Sequence, residues 1–379
     1  MRKGYLLTPI LLMTLLIVSA AKPVDASDQS SVNSIIEETV LFTGHPDNPK
    51  RPQQPITPLY REPHRSSWAL AADNDALVHN KRDQDYTYGF NFTYSGKGAT
   101  ETWLSLDKLL NALNNSIGLD ESGIYNHSLE MGWFGFTPED ISLRSPNHTD
   151  RPYASLIYLS SSREQIDFSQ QVAWTSTLTL GVMGLNWAGW FQNTLHEQIN
   201  ATQARGWHNQ ISHGGELTAR YSLARQQYLG RVFGNTEIKS TLHASAGYLT
   251  EVSWSLSFRS GKYHTAWSSF NPELASYGER STYTTNTHAL AESYLWGGIS
   301  FKARAYNAFL QGQFRSSPVS YDADELNPLL MEAWLGYTYA FSHGYRLSYV
   351  IRGHTSEIKH GRGDRNLLWG GLILSKSLF

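Results

Sequence analysis

The chain has 379 residues, with 31 Lys and Arg against 33 Asp and Glu, so its net charge of −2 exerts no strong pull on nucleic acid. It has no cysteine, which excludes a disulfide framework, a lipid-bearing cysteine and a thiolate metal site. Aromatic residues make up 13% of it, with 21 Tyr and 12 Trp, the amphipathic types that gather at membrane interfaces.

At the N-terminus, Arg2 and Lys3 precede an almost wholly apolar run from Tyr5 to Val18, and Ser19, Ala20 and Ala21 follow. Charge, short apolar core and small residues are the layout of a secretory signal. Val18-Ser19-Ala20 and Val24-Asp25-Ala26 are both suitable cleavage sites, so residues 1–26 are read as the signal peptide. The run is short for a spanning helix, and Pro9 interrupts it. Residues 27–66 hold six of the 14 prolines, from Pro46 to Pro63, and read as a proline-rich periplasmic extension.

From residue 67 to 379 the pattern changes to period two. Phe90, Phe92 and Tyr94 alternate with Asn91 and Thr93. Trp174, Ser176, Leu178, Leu180 and Val182 alternate with Thr175, Thr177 and Thr179. Trp254, Leu256 and Phe258 alternate with serines, and Met331 to Phe341 and Tyr345 to Ile351 each carry an apolar stripe. Beyond the signal no apolar run is long enough for a spanning helix, so a membrane protein of this kind must satisfy its backbone as a closed barrel. The expected fold is all-β: an antiparallel transmembrane β-barrel of about twelve strands, with short helices in loops. A soluble sandwich alternates in the same way; export, aromatic content and segment length favour the membrane. The chain ends on Phe379 after Trp369, Leu372 and Leu374, which resembles the assembly signal of outer-membrane barrels.

An even strand count puts both termini on the periplasmic side, with the first strand, near Ser67–Asp73, running outward. Residues 96–127 then form a periplasmic connection, where Leu106, Leu109, Leu110, Leu113 and Ile117 have helical spacing. The polar clusters fall at the opposite, extracellular rim. They are Asn74-Asp75, Asp83-Gln84-Asp85-Tyr86-Thr87, Thr137-Pro138, Asp150-Arg151-Pro152-Tyr153 and Gln192 to His196. Each has a bland reading as well: Asn and Asp are ordinary turn residues, Asp150 and Arg151 can form a rim salt bridge, and the chain has 14 His. Gln192 and His196 are four apart and would share one face of a helix, letting Gln192 orient the imidazole or a substrate.

In this order the motifs resemble the outer-membrane lipid A 3′-O-deacylases. The resemblance runs from Trp68 to Phe379 and is strongest from Trp68 to Trp207. It rests on Ala72-Asp73-Asn74-Asp75, Asp85-Tyr86-Thr87-Tyr88-Gly89, Phe136-Thr137-Pro138, Asp150-Arg151-Pro152-Tyr153-Ala154, Gly184-Leu185-Asn186, Phe191 to His196 and Gly206-Trp207. It implies a twelve-stranded outer-membrane hydrolase that uses calcium and removes the 3′-linked acyloxyacyl chain of lipid A. Carried over by position, His196 is the general base; Asn74, Asp75 and Thr87 are essential rim residues, with Asp75 and Asn74 offering oxygen to the calcium; and Gln192 supports them. Arg144 and Arg151 would meet the substrate's phosphates, and Arg151 is equally a partner for Asp150. Two positions depart from the pattern. Thr202 stands six after the histidine where the family has an acidic residue, and Leu143-Arg144 replaces a Lys-Arg pair.

The chemistry is consistent with that: ester hydrolysis needs an activated water and a charge for the oxyanion. Histidine is suited to the first and a hard cation on oxygen ligands to the second. A non-catalytic barrel serving as scaffold or narrow pore is the alternative. An outer-membrane phospholipase ranks lower, because its His-x-Ser-Asn-Gly block is absent.

Overall fold

The computed structural model describes residues 66–78, 85–119, 124–275, 291–341 and 344–378. The signal, the proline-rich extension, Asp83, Gln84 and Phe379 lie outside them. The described residues all belong to one compact unit, Glu62–Phe379.

Twelve strands close into one antiparallel barrel, each paired with its neighbour in sequence and β1 with β12. They are β1 (Ser67–Asn74), β2 (Asp85–Ser95), β3 (Ile124–Thr137), β4 (Ala154–Asp167), β5 (Val172–Met183), β6 (Glu216–Val232), β7 (Thr236–Gly247), β8 (Leu249–Lys262), β9 (Glu292–Asn307), β10 (Leu329–Ala340), β11 (Tyr345–His354) and β12 (Leu367–Ser377). The six later prolines all fall between strands, where no ladder donor is needed.

The alternation has the expected sense. Leu335, Tyr337, Tyr339, Leu347, Tyr349 and Ile351 are exposed on the outside, while Thr93, Glu130, Thr177, Ser255 and Thr338 are buried inside. A contiguous apolar belt of this kind would be a liability in water and suits lipid. Trp369 departs from the outward stripe of Leu372 and Leu374. It is 5% exposed and faces the lumen, its ring centroid 5.1 Å from that of Tyr86.

The lumen is filled. From the end where β1 begins and β12 finishes, the segment after β8 enters with Glu273, which accepts from Gln226 (2.6 Å), Thr241 (2.8 Å) and Ser257 (2.9 Å) and pairs with Lys239 at 2.9 Å. Toward the other end, Lys302 pairs with Glu332 at 2.5 Å, Arg352 with Glu332 at 2.6 Å, and Arg304 with Glu251 at 2.6 Å. Phe309 closes that end against Phe134, Phe136 and Tyr248. A cavity of about 110 Å³ remains between them, lined by Phe270, Trp296 and Trp369 as well as by Asp73, Asn91 and Arg352.

The helix expected between β2 and β3 is present as α1 (Asp107–Ser116). It lies on the outer wall, where Asn114 bonds Ser176 at 2.8 Å and Tyr221 at 2.9 Å, and Ser161 accepts from the Leu106 amide at 2.9 Å. These strand hydroxyls have outward parity, so α1 covers polar groups that would otherwise meet hydrocarbon.

Candidate functional site

The motifs of β1, β2 and β3 gather where those strands meet β12, at the end of the barrel opposite the start of β1. Ser67, Ala69, Ala71 and Asp73 of β1 are buried facing the lumen, so Asn74 leaves the strand on the outer side. Its Oδ1 accepts from the Ala76 amide at 2.7 Å and caps a short 3-10 turn, Asp75–Leu77. Its Nδ2 donates to the Thr87 carbonyl. Asp75 is 2% exposed in this turn. The turn folds over the outside of the barrel, where the Leu77 carbonyl accepts from the Tyr349 hydroxyl at 2.7 Å. Only a glycine fits beneath it: a Cβ on Gly370 would stand 2.6 Å from the Leu77 Cβ.

Across from Asn74, β2 begins irregularly. Asp85 has a left-handed backbone, φ 68°. Tyr86 pairs with Phe136 and Tyr88 with Gly135, so Thr87 is one residue too many for β3. A bulge re-aims its neighbours. Tyr86 turns into the lumen onto Phe136 and Trp369, at 5.6 and 5.1 Å between centroids, while Tyr88 turns outward. Between them Thr87, 2% exposed, holds Thr137 hydroxyl to hydroxyl at 2.6 Å. Asn74, Thr87 and Thr137 thus form one hydrogen-bonded chain across three strands.

The stretch from Gln192 to His196 is a helix rather than a loop: α2 (Trp187–Ile199). It lies on the outer wall because its aromatic residues match the outward stripe of β2 and β3. Trp187 and Phe191 meet Trp133 at 5.4 and 5.8 Å, and Phe191 meets Tyr88 at 5.8 Å. Ala188, Trp207, Tyr153 and Ile141 complete the cluster. Gln192 and His196 share a buried face, at 2% and 7% exposure. Gln192 accepts from the Trp207 indole at 2.7 Å and so locks the returning chain. The imidazole is oriented by a different group: His196 Nδ1 lies 2.5 Å from the Thr202 carbonyl oxygen. A carbonyl can only accept, so Nδ1 is the donor in this contact. The helix ends at Asn200 in the left-handed region, φ 54°. That turn brings residue 202 back beneath the ring.

The two arginines separate. Arg144 is exposed, and its carbonyl accepts from Asn209 at 2.7 Å, which fixes its loop beside the one carrying Trp207. Arg151 is 2% exposed. Its guanidinium pairs with Glu357, lies 3.6 Å from Asp85, and stacks 4.9 Å from the Phe136 ring centre. A guanidinium enclosed this way presents no face to a phosphate at the surface, in contrast to the expected contact. The Asp150 carboxylate accepts from the Arg151 backbone amide (2.7 Å) and pairs with Arg365, rather than with the Arg151 guanidinium, at 2.7 Å. Sequence reasoning missed Glu357 and Arg365, both from the β11–β12 loop. The one available signal was the density of charge in His360 to Arg365.

Among the described residues no three His, Cys, Asp or Glu side chains gather as a metal cluster. Oxygen donors at the rim are the Asp75 carboxylate, the Asn74 amide, the Thr87 hydroxyl and main-chain carbonyls.

The family described as "Outer membrane protein LpxR" matches residues 39–378. Among solved structures, LpxR from Salmonella typhimurium superposes with a TM-score of 0.63 at 16% identity, covering 82% of this chain and 100% of that one. At that identity the likeness carries the fold alone. The KdgM porin (TM-score 0.35, 6% identity, 83% and 99% covered) matches too weakly to carry an argument. So does the β domain of the Bordetella autotransporter Brka (0.39, 8%, 83% and 100%). No curated protein sequence matches the chain.

Proposed function

The chain belongs to the LpxR family of outer-membrane proteins, and we propose that it is a hydrolase that removes the 3′-linked acyloxyacyl chain of lipid A. The observation that carries this reading is His196: a buried imidazole, its Nδ1 tied to the Thr202 carbonyl, on a helix mounted on the lipid-facing wall. A base with Nε2 free of a proton suits attack by water on an ester. A site on the outer wall suits a substrate that lies in the leaflet rather than one that enters a lumen.

In this mechanism Nε2 takes a proton from water as the water oxygen attacks the ester carbonyl carbon. The protonated ring then returns that proton to the sugar oxygen as the carbon–oxygen bond breaks. Gln192 and Trp207 keep α2 seated during both steps. Asn74 fixes the Thr87 carbonyl against the 3-10 turn that carries Asp75. The donors there are all hard oxygens and include a nearly buried carboxylate, a set that fits calcium in kind. Carbonyls and water would complete its coordination, and bound calcium would supply positive charge for the developing oxyanion. The exposed guanidinium of Arg144 would pair with a lipid A phosphate. Both termini are then periplasmic and the site extracellular.

A conducting pore fits less well, because the segment after β8 and the charged lumen residues occupy the channel. Mass spectrometry of lipid A from membranes with and without the protein tests the reading. Loss of the mass of one acyloxyacyl group is expected, abolished by chelator and restored by calcium. An unchanged profile in calcium, with the barrel folded, overturns it; full activity in chelator overturns the calcium assignment.

A further inference from the structure

The catalytic residues of the proposal come from β1, β2 and α2, yet the irregular start of β2 is held from the far end of the chain. Asp85 occupies the left-handed backbone region two residues before Thr87, at φ 68°. That conformation is uncommon for a residue with a Cβ, though aspartate adopts it more readily than most, so what holds it here is read from its contacts. Its carboxylate is fixed by Arg365, whose Nε donates to Asp85 Oδ2 at 2.8 Å. The same guanidinium donates through Nη1 to Asp150 Oδ1 at 2.7 Å.

Asp150 is a rigid anchor, fully buried. Its Oδ2 accepts from the Glu139 amide at 2.7 Å and its carbonyl from the Tyr321 hydroxyl at 2.9 Å. The loop that carries Arg365 is docked independently, since the amides of Arg362 and Gly363 both donate to the Thr149 carbonyl, at 2.7 and 3.2 Å. Arg151 also lies near Asp85, but at 3.6 Å, with its guanidinium engaged by Glu357.

We infer that Arg365 is a positioning residue: by clamping Asp85 to Asp150 it holds the Thr87 bulge in register with Asn74. This inference rests on the ester-hydrolysis reading for its effect on rate, but not for its effect on structure. Remove the guanidinium and two carboxylates, Asp85 and Asp150, are left facing one another without their bridge. Asp85 then leaves the left-handed region, the bulge relaxes, and the Thr87 carbonyl moves off the Asn74 amide. Substrate binding through Arg144 is untouched, so the loss falls on kcat.

The experiment compares the parent barrel with Arg365→Gln, Arg365→Lys, Asp85→Asn and the Asp85→Asn/Arg365→Gln double variant. Three quantities are read: heat-modifiable gel migration, kcat and KM for acyl release, and backbone hydrogen exchange over residues 85–89. Arg365→Gln should stay folded, lose about 10- to 100-fold in kcat with KM little changed, as misplacement of a reacting group does, and exchange faster at 85–89. Arg365→Lys should recover part of the rate, and the double variant should be no worse than Arg365→Gln alone. A kcat within about twofold of the parent, strictly multiplicative losses in the double variant, or unchanged exchange at 85–89 overturns the inference. If the parent releases no acyl group, the ester reading falls instead, and exchange at 85–89 alone decides whether the clamp exists.

Discussion

The two faces of the β2–β3 wall at the rim are built from the same few residues and do opposite things. On the inner face Tyr86, Phe134, Phe136 and Trp369 interlock with Phe309, and the charges around them are paired. On the outer face Tyr88 and Trp133 support a helix whose imidazole is held by the Thr202 carbonyl. The switch between faces is a single extra residue, Thr87, between Tyr86 and Tyr88. A regular β2 would put both tyrosines on one side and leave either the plug or the helix without its anchor. In this barrel the lumen is the structural core, and the proposed chemistry would sit on the outer wall, where lipid can reach it.

The largest expected effect breaks the outer face alone. His196→Ala should lower the rate of acyl release by about 10²- to 10⁴-fold, the usual contribution of a general base. The ring is 7% exposed and sits on a packed helix, so His196→Gln, which keeps volume and a polar end, should accompany it. Both variants should migrate as folded barrels, and added calcium should rescue neither, because a cation cannot accept a proton. A folded variant with near-parental turnover would remove His196 from the mechanism.

The inner face should respond in the opposite sense. Glu273→Ala leaves Lys239 buried without its carboxylate and strips three hydrogen-bond donors of their acceptor. Breaking a buried pair of this kind costs about 3–5 kcal/mol. Denaturant unfolding in detergent should shift accordingly, while turnover per folded barrel stays at the parental level. The pH dependence of stability has a definite sign at Glu357. Burial pushes its carboxyl up, but Arg151 and Arg304 pull it further down, from the ordinary 4.5 to about 2. A depressed carboxyl contributes its stability in full above the ordinary value and loses it as pH falls toward the depressed one. The unfolding midpoint should therefore decline between pH 4.5 and about 2; a Glu357→Gln barrel should show less of that decline, and equal declines would refute the assignment.

The outer face was largely legible in the sequence and the inner face was not. Period-two stripes identify lipid-facing residues because one solvent selects every second side chain along a strand. The spacing of Gln192 and His196 anticipates a shared helical face, and the rim motifs meet because odd strands end where even strands begin. Lumen contacts obey no such local rule. Arg365 and Asp85 are 280 residues apart and Arg151 and Glu357 are 206 apart, and nothing in either residue type names its partner. The orienting group for His196 escapes notice for a different reason. The Thr202 side chain gives no hint of the role, because the contact is made by its carbonyl, which every residue possesses. The position of α1 was equally hidden: Ser176 falls in the outward stripe by parity, and nothing local to the strand says that a helix covers it.

Arg144 carries the smallest expected effect and sharpens the comparison most finely. Of the two rim arginines only Arg144 is exposed on the outside, while Arg151 belongs to the lumen. Arg144→Gln keeps length and polarity and removes the charge. A hydrogen bond to a charged phosphate contributes roughly 1.5–3 kcal/mol, and partial exposure reduces that toward the lower end, so KM should rise about tenfold. The contact is made equally in ground and transition states, so kcat should hold nearly constant. Barrel stability should not change, since the fixed part of Arg144 is its carbonyl, held by Asn209, and a substitution leaves that in place. The equivalent change at Arg151 should do the reverse, destabilising the rim with its effect on turnover following the folded fraction. If Arg151→Gln instead raised KM with an intact barrel, and Arg144→Gln did nothing, the assignment of the two arginines to opposite faces would be inverted.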